Sequence, residues 1–207
     1  MFAPCGHLCP TAAIRPITLE EKRGLGPHAR RGPIRLGTAF VDRGRCLPWA
    51  MGRPCIVCQE NCPVSPKAII IQTQYEPVRS DAPLVVRGTD ETSVYLQGTP
   101  LPEGRFGTGD YYLAPKTMER RVLRRRIVEN TADRLILHTG EGKASSSISS
   151  QEVEILIRLQ RPYVDPALCI GCGICEHECP VSGKRAIRVT AENESREKSH
   201  RLLPGNQ

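Results

Sequence analysis

Between residues 73 and 161 the chain alternates short apolar runs with turn-forming residues. LVVRG (84–88), SVYLQG (93–98), DYYLA (110–114), RRRIVEN (124–130), RLILHTG (134–140) and VEILIRLQ (153–160) are rich in β-branched and aromatic residues, with Gly, Pro, Asp and Asn between them. That pattern predicts strands joined by turns. RRRIVENTADRLILHTG reads as a hairpin with ENTAD at its turn. ERRVLRRRIVEN also fits a basic helix, because Leu and Arg favour helices. GKASSSISSQ (142–151) reads as a flexible loop. The strand signals are too regular for disorder, so residues 73–161 are expected to form an all-β domain.

Outside this block the chain repeats itself. CPTAAIRPITL (9–19), CPVSPKAIIIQ (62–72) and CPVSGKRAIRV (179–189) each run from Cys-Pro through a polar turn to an Ala-Ile pair or its equivalent and a β-branched run. Such self-similarity marks a repeated supersecondary unit. The expectation is a Pro-started turn or short helix after the last Cys, leading into short strands at 68–72 and 186–190. The predicted organisation is therefore a partial motif and extended connector at 1–40 (extended over 20–37), one domain assembled from 41–72 and 162–190, the β insert at 73–161, and a polar tail at 191–207.

Composition narrows the options. In 207 residues 39% are apolar and 4% aromatic, with 18 Gly and 18 Pro. Something besides hydrophobic burial must then help hold the fold. No run of 18 apolar residues is present, so no transmembrane segment is expected. The first residues do not show a basic region followed by an apolar stretch, as a signal peptide would. The net charge of +7 raises the question of nucleic acid, but apart from 119–126 the basic residues are scattered, and no recognition motif accompanies them. Nucleic-acid binding is not expected. The scattered charge reads as a modestly basic surface suited to an acidic partner.

Ten cysteines carry the chemistry. CIGCGICEHECP (169–180) has the spacing Cys-x2-Cys-x2-Cys-x3-Cys-Pro. Its first three thiolates suit a tight loop around three corners of a cubane, with Gly171 and Gly173 giving the positive φ angles that wrapping needs. The fourth Cys lies beyond its own cluster and predicts a second motif. RCLPWAMGRPCIVCQENCP (45–63) supplies it, with a longer loop between Cys46 and Cys55. Cys46, Cys55, Cys58 and Cys179 are the expected ligands of one [4Fe–4S] cluster, and Cys169, Cys172, Cys175 and Cys62 of the other. Four-Cys zinc sites use two separated Cys-x2-Cys knuckles and do not need this third Cys. A disulfide scaffold is disfavoured because each three-Cys loop is too tight. Trp49 and Met51 read as a shield over the first cluster; the other reading has Trp49 meeting an electron donor. His177 reads as a solvent-facing group, because Cys fills every ligand position.

The segments FAPCGHLCPTAAI, GTAFVDRGRCLPWAMGRPCIVCQENCPVSPKAI and YVDPALCIGCGICEHECPVSGKRAI together resemble, in that order, a family of polyferredoxins. These are the accessory iron–sulfur proteins that accompany periplasmic nitrate reductase and methylamine dehydrogenase. The resemblance covers about half of the chain. It implies an α+β fold with a bacterial two-[4Fe–4S] ferredoxin-like core, here carrying an inserted all-β domain of 89 residues in place of a short connector. It implies electron transfer, not catalysis, as a subunit or relay of a larger redox assembly. The implied partners are other redox subunits or electron carriers and a membrane quinol-oxidising subunit. The implied location is periplasmic or membrane-peripheral, with the cytoplasm as the alternative. A second reading is an interaction subunit whose clusters are structural and whose insert binds a partner. On either reading the insert is expected to dock a partner, with Arg120, Arg121 and Arg124–Arg126 on that face.

Cys5 and Cys9 match the last two cysteines of the family's first motif pair. They are either free thiols, a local disulfide, or ligands of further [4Fe–4S] clusters. Two thiolates cannot hold a cubane. On the last reading the missing ligands come from residues before Met1 or from another chain.

Overall fold

The computed structural model describes residues 4–98, 100–116, 124–138 and 152–195, with side chains from Gly6 onward. Arg120, Arg121, the 142–151 loop, most of the tail and the Cys5 side chain lie outside the described residues. The elements in chain order are helices α1 (Pro4–His7) and α2 (Leu19–Arg23), a 3-10 turn over Gly26–Arg31, strand β1 (Thr38–Val41), and helices α3 (Leu47–Ala50) and α4 (Val57–Glu60). Strands β2 (Ile69–Pro77), β3 (Leu84–Thr89), β4 (Ser93–Gln97), β5 (Tyr111–Pro115), β6 (Arg125–Asn130), β7 (Arg134–Leu137) and β8 (Glu152–Val164) follow, then α5 (Ile174–Glu178) and β9 (Ile187–Thr190). The described fold is mostly β, with short helices and one large antiparallel sheet.

Two compact units are present: residues 1–46, 56–71 and 162–207 form one, residues 47–55 and 72–161 the other. The second holds most of a seven-stranded sheet in the order β2-β8-β3-β4-β7-β6-β5, closed by a further pairing of β8 with β5. It closes because β8 pairs on both sides: Val153 faces Leu84 of β3 and Pro115 of β5. β6 and β7 form the hairpin over 125–137, with Ile127 opposite Leu137 and Asn130 opposite Leu135. Residues 124–130 are thus not helical. Alternation sends Val94 and Leu96 of β4, Ile127 of β6 and Leu135 and Leu137 of β7 inward. These belong to a cluster of eleven buried apolar residues, each worth ~1.5–3 kcal/mol of burial. Asn130, 3% exposed, donates to Pro102 O and accepts from the Phe106 amide, tying the 102–106 loop to the hairpin.

The first unit is poorer. Its large buried aliphatics are Ile69 and Ile187; the remaining buried apolar positions are mainly Ala39, Ala68, Ala186 and the cysteines Cys46, Cys58, Cys169, Cys175 and Cys179. By the same measure two Ile side chains fall far short of ordering such a unit, so its centre needs another source of cohesion.

Two expectations change here. Residues 20–37 are not simply extended: Thr18 caps α2 through the Glu21 amide at 3.1 Å, Gly24 closes it with φ 65°, and a 3-10 turn follows. The helix of each repeat also lies before the last Cys, as α4 and α5, rather than after it. Pro63 and Pro180 lack the N–H to continue a helix, and the residue before a proline is pushed out of the α region, as Cys179 is with ψ 123°.

Candidate metal centre

The first unit is built on two repeated turns that the sequence reading did not single out. Val41-Asp42-Arg43-Gly44-Arg45-Cys46 and Val164-Asp165-Pro166-Ala167-Leu168-Cys169 place an Asp four residues before the first Cys. Each Asp carboxylate accepts an amide two residues on, from Gly44 at 3.1 Å and from Ala167 at 2.8 Å. Each Asp carbonyl then accepts from its Cys amide at 3.0 Å. Each Asp amide donates across to the other repeat, Asp42 to Ala186 O at 2.7 Å and Asp165 to Ala68 O at 2.8 Å. The lead-in of each motif is therefore bonded to the exit of its counterpart, which carries the thiols of one repeat toward those of the other. Repetition of Val-Asp-x3-Cys was the available signal.

The helices set the third cysteines. Gly173, with φ 79°, starts α5, which carries Cys175; α4 carries Cys58 and packs against α5. Glu176 of α5 accepts from the Val189 amide at 2.8 Å, fastening the helix to β9. A cation secures each Cys-Pro turn: Lys67 donates to Gln59 O and Glu60 O, and Arg185 to Cys179 O and Val181 O.

Cys62, Cys169, Cys172 and Cys175 line one cavity of ≈ 340 Å³, counted to its open mouth, and its other walls are apolar side chains and Gly173. Cys62 comes from the 45–63 motif and the other three from the 169–180 motif. Burial pushes the Cys175 thiol up to about 12, and the neighbouring Cys172, Cys169 and Cys62 add to the effect. Thiolates so close repel one another, and only a positive centre among them lets them ionise together. The Ala39 amide donates to Cys169 Sγ at 3.4 Å, a contact that favours negative charge on sulfur. The loop is backed by Gly37: a Cβ on Gly171 (φ 68°) would stand 2.4 Å from Gly37 N. The Leu36 amide reaches Ile170 O at 3.0 Å. The end of the expected connector thus backs the cysteine loop.

Of the other expected ligands, Cys46, Cys58 and Cys179 are buried in the same unit, while Cys55 belongs with the 47–55 loop of the second unit. Met51, just beyond the short helix α3, is 54% exposed. His177 is solvent-facing, with Nδ1 3.0 Å from Glu178 Oε1. Among the described residues no group of three His, Cys, Asp or Glu is arranged to hold a single metal ion.

Cys9 is half-buried and is not joined to another cysteine among the described residues. The Thr11 hydroxyl beside Sγ, with the backbone amides of Ile14, Thr11 and Ala13, lowers its pKa to about 7. A depressed thiol reacts as thiolate at lower pH than the usual cysteine. Alkylation of Cys9, followed by peptide mass mapping, should rise with an inflection near pH 7. Thr11→Val should move that inflection upward.

Four thiols on an apolar pocket, one of them accepting a backbone N–H, in a unit with little other core suit an iron–sulfur centre. Residues 162–182 match the family model described as Fer4, a 4Fe-4S binding domain. The match supports at least one [4Fe–4S] cluster and iron–sulfur electron transfer in general. No curated protein and no solved structure matches the chain. Among the described residues no helix is long and apolar enough to cross a membrane.

Proposed function

We propose that the chain carries two [4Fe–4S] clusters in a ferredoxin-like core and passes electrons as a subunit or relay of a larger redox assembly. The observation that carries this reading is the meeting of Cys62 with Cys169, Cys172 and Cys175 on one cavity. A fourth thiol taken from the other motif supports reciprocal exchange, with Cys46, Cys55, Cys58 and Cys179 on the remaining cluster. When bound, such clusters supply one-electron chemistry. The chain's own part is to hold the thiolates, exclude water with Ala39, Ile69 and Val189, and stabilise negative sulfur through amides such as that of Ala39.

The β unit is proposed to dock the partner. Arg124 stacks over Tyr75 at 3.8 Å, Tyr75 meets Tyr112 edge-on at 5.1 Å, and Arg126 lies opposite Tyr112 across β5 and β6. This basic, aromatic face suits an acidic carrier or subunit. By the family resemblance the assembly is periplasmic or membrane-peripheral and fed by quinol oxidation. Cys5 and Cys9 would share in further [4Fe–4S] clusters.

Potentiometric titration followed by electron paramagnetic resonance tests the main reading. The expected result is about eight irons per chain and two reversible one-electron signals. Clusters that resist reduction, and whose loss unfolds the first unit, would instead support a structural role.

A further inference from the structure

We propose that Arg161 is a positioning residue for the cluster that takes Cys55. The inference rests on the two-cluster reading above and concerns the 47–55 loop, which separates Cys46 from Cys55 and has no counterpart in the 169–180 motif.

Arg161 lies on β8, and its side chain is 16% exposed. Every nitrogen of its guanidinium is engaged. Nε donates to Pro48 O at 3.4 Å, one terminal nitrogen donates to Gln74 Oε1, and the other stands 2.5 Å from Glu76 Oε1. The guanidinium carbon also lies 4.6 Å from the centroid of the Trp49 ring. One planar group therefore grips the loop twice, by the Pro48 carbonyl and the Trp49 face, while β2 anchors it from the other side.

The geometry needs an arginine. A lysine keeps the charge but cannot stack on an indole while holding three acceptors in one plane. Inside the loop the Met51 and Arg53 amides both donate to Leu47 O, which shapes the turn locally. The Arg161 contacts attach that turn to the β2 and β8 strands. A ligand on a loop of this length is held in place only as well as the loop is, because misplacement of a thiolate loosens its iron. Trp49, the lone tryptophan, is then first an anchor for the Arg161 clamp.

The test uses the full chain with Arg161→Met and Arg161→Lys. In Arg161→Met iron should fall from about eight to about four per chain. The surviving resonance signal should keep its midpoint and should be the one that Cys62→Ala removes. Arg161→Lys should show intermediate occupancy, with a shifted midpoint for the affected signal alone. If Arg161→Met does not fold, Trp49→Leu removes the stacking partner and is read in the same way. Wild-type occupancy and unshifted midpoints in a folded variant would overturn the proposal while leaving the two-cluster reading intact. Fewer than two clusters in the wild-type chain would overturn that underlying reading instead.

Discussion

Cys62→Ala is expected to abolish the cluster held by the loop of Cys169, Cys172 and Cys175, and to spare the one assigned to Cys55 and Cys58, its neighbours in sequence. Cys62 lines the same cavity as the three distant thiols, and it contributes to the raised pKa of Cys175. Proximity in space, not in the chain, should decide which iron is lost. Iron and sulfide should both fall by about half, to about four per chain. Resonance spectra should retain one signal, and that signal should vanish in Cys58→Ala. The reverse pattern, with the 169–175 cluster retained, would mean that each motif binds its own fourth cysteine.

Gly171→Ala should be nearly as damaging, although it removes no ligand. The new methyl would have to occupy space 2.4 Å from Gly37 N and 2.6 Å from Gly37 O, both backbone atoms. Gly37 is itself packed against backbone, since a Cβ added there would stand 1.8 Å from Thr190 O. Clash therefore adds to the ~1–2 kcal/mol that a left-handed conformation costs an L-residue. Gly173 separates the two effects. It has a similar φ of 79° and nothing within 4 Å of its Cβ position. Gly173→Ala should show the conformational cost alone, as a modest fall in melting temperature with iron retained. Gly171→Ala should lose the 169–175 cluster. Equal behaviour of the two variants would show that φ, and not the contact with Gly37, sets the constraint.

The helices that carry Cys58 and Cys175 end where Pro63 and Pro180 require, yet a Cys-Pro signal alone suggested a helix starting there. The proline constrains the residue on its N-terminal side as well as those after it, and which side holds the helix depends on the packing of α4 against α5. Loop 47–55 shows the same limit. Its composition shows a lone Trp and a Met, from which a shield over the cluster was a reasonable expectation. Arg161, more than a hundred residues away in sequence, stacks on the Trp, and Met51 is more than half exposed.

Local chemistry was legible in the residues themselves. The spacing of Cys169, Cys172 and Cys175, the positive φ at Gly171 and Gly173, and the strands at 84–89, 93–97, 111–115, 125–130 and 134–137 follow from short-range sterics, turn residues and period-two alternation. Long-range closure was not. The pairing of β8 with both β3 and β5, the backing of Gly171 by Gly37, and the arrival of Cys62 beside Cys175 each join segments separated by tens of residues or more. Such contacts depend on which buried surfaces and backbone bonds are satisfied together, and no window of sequence contains both partners.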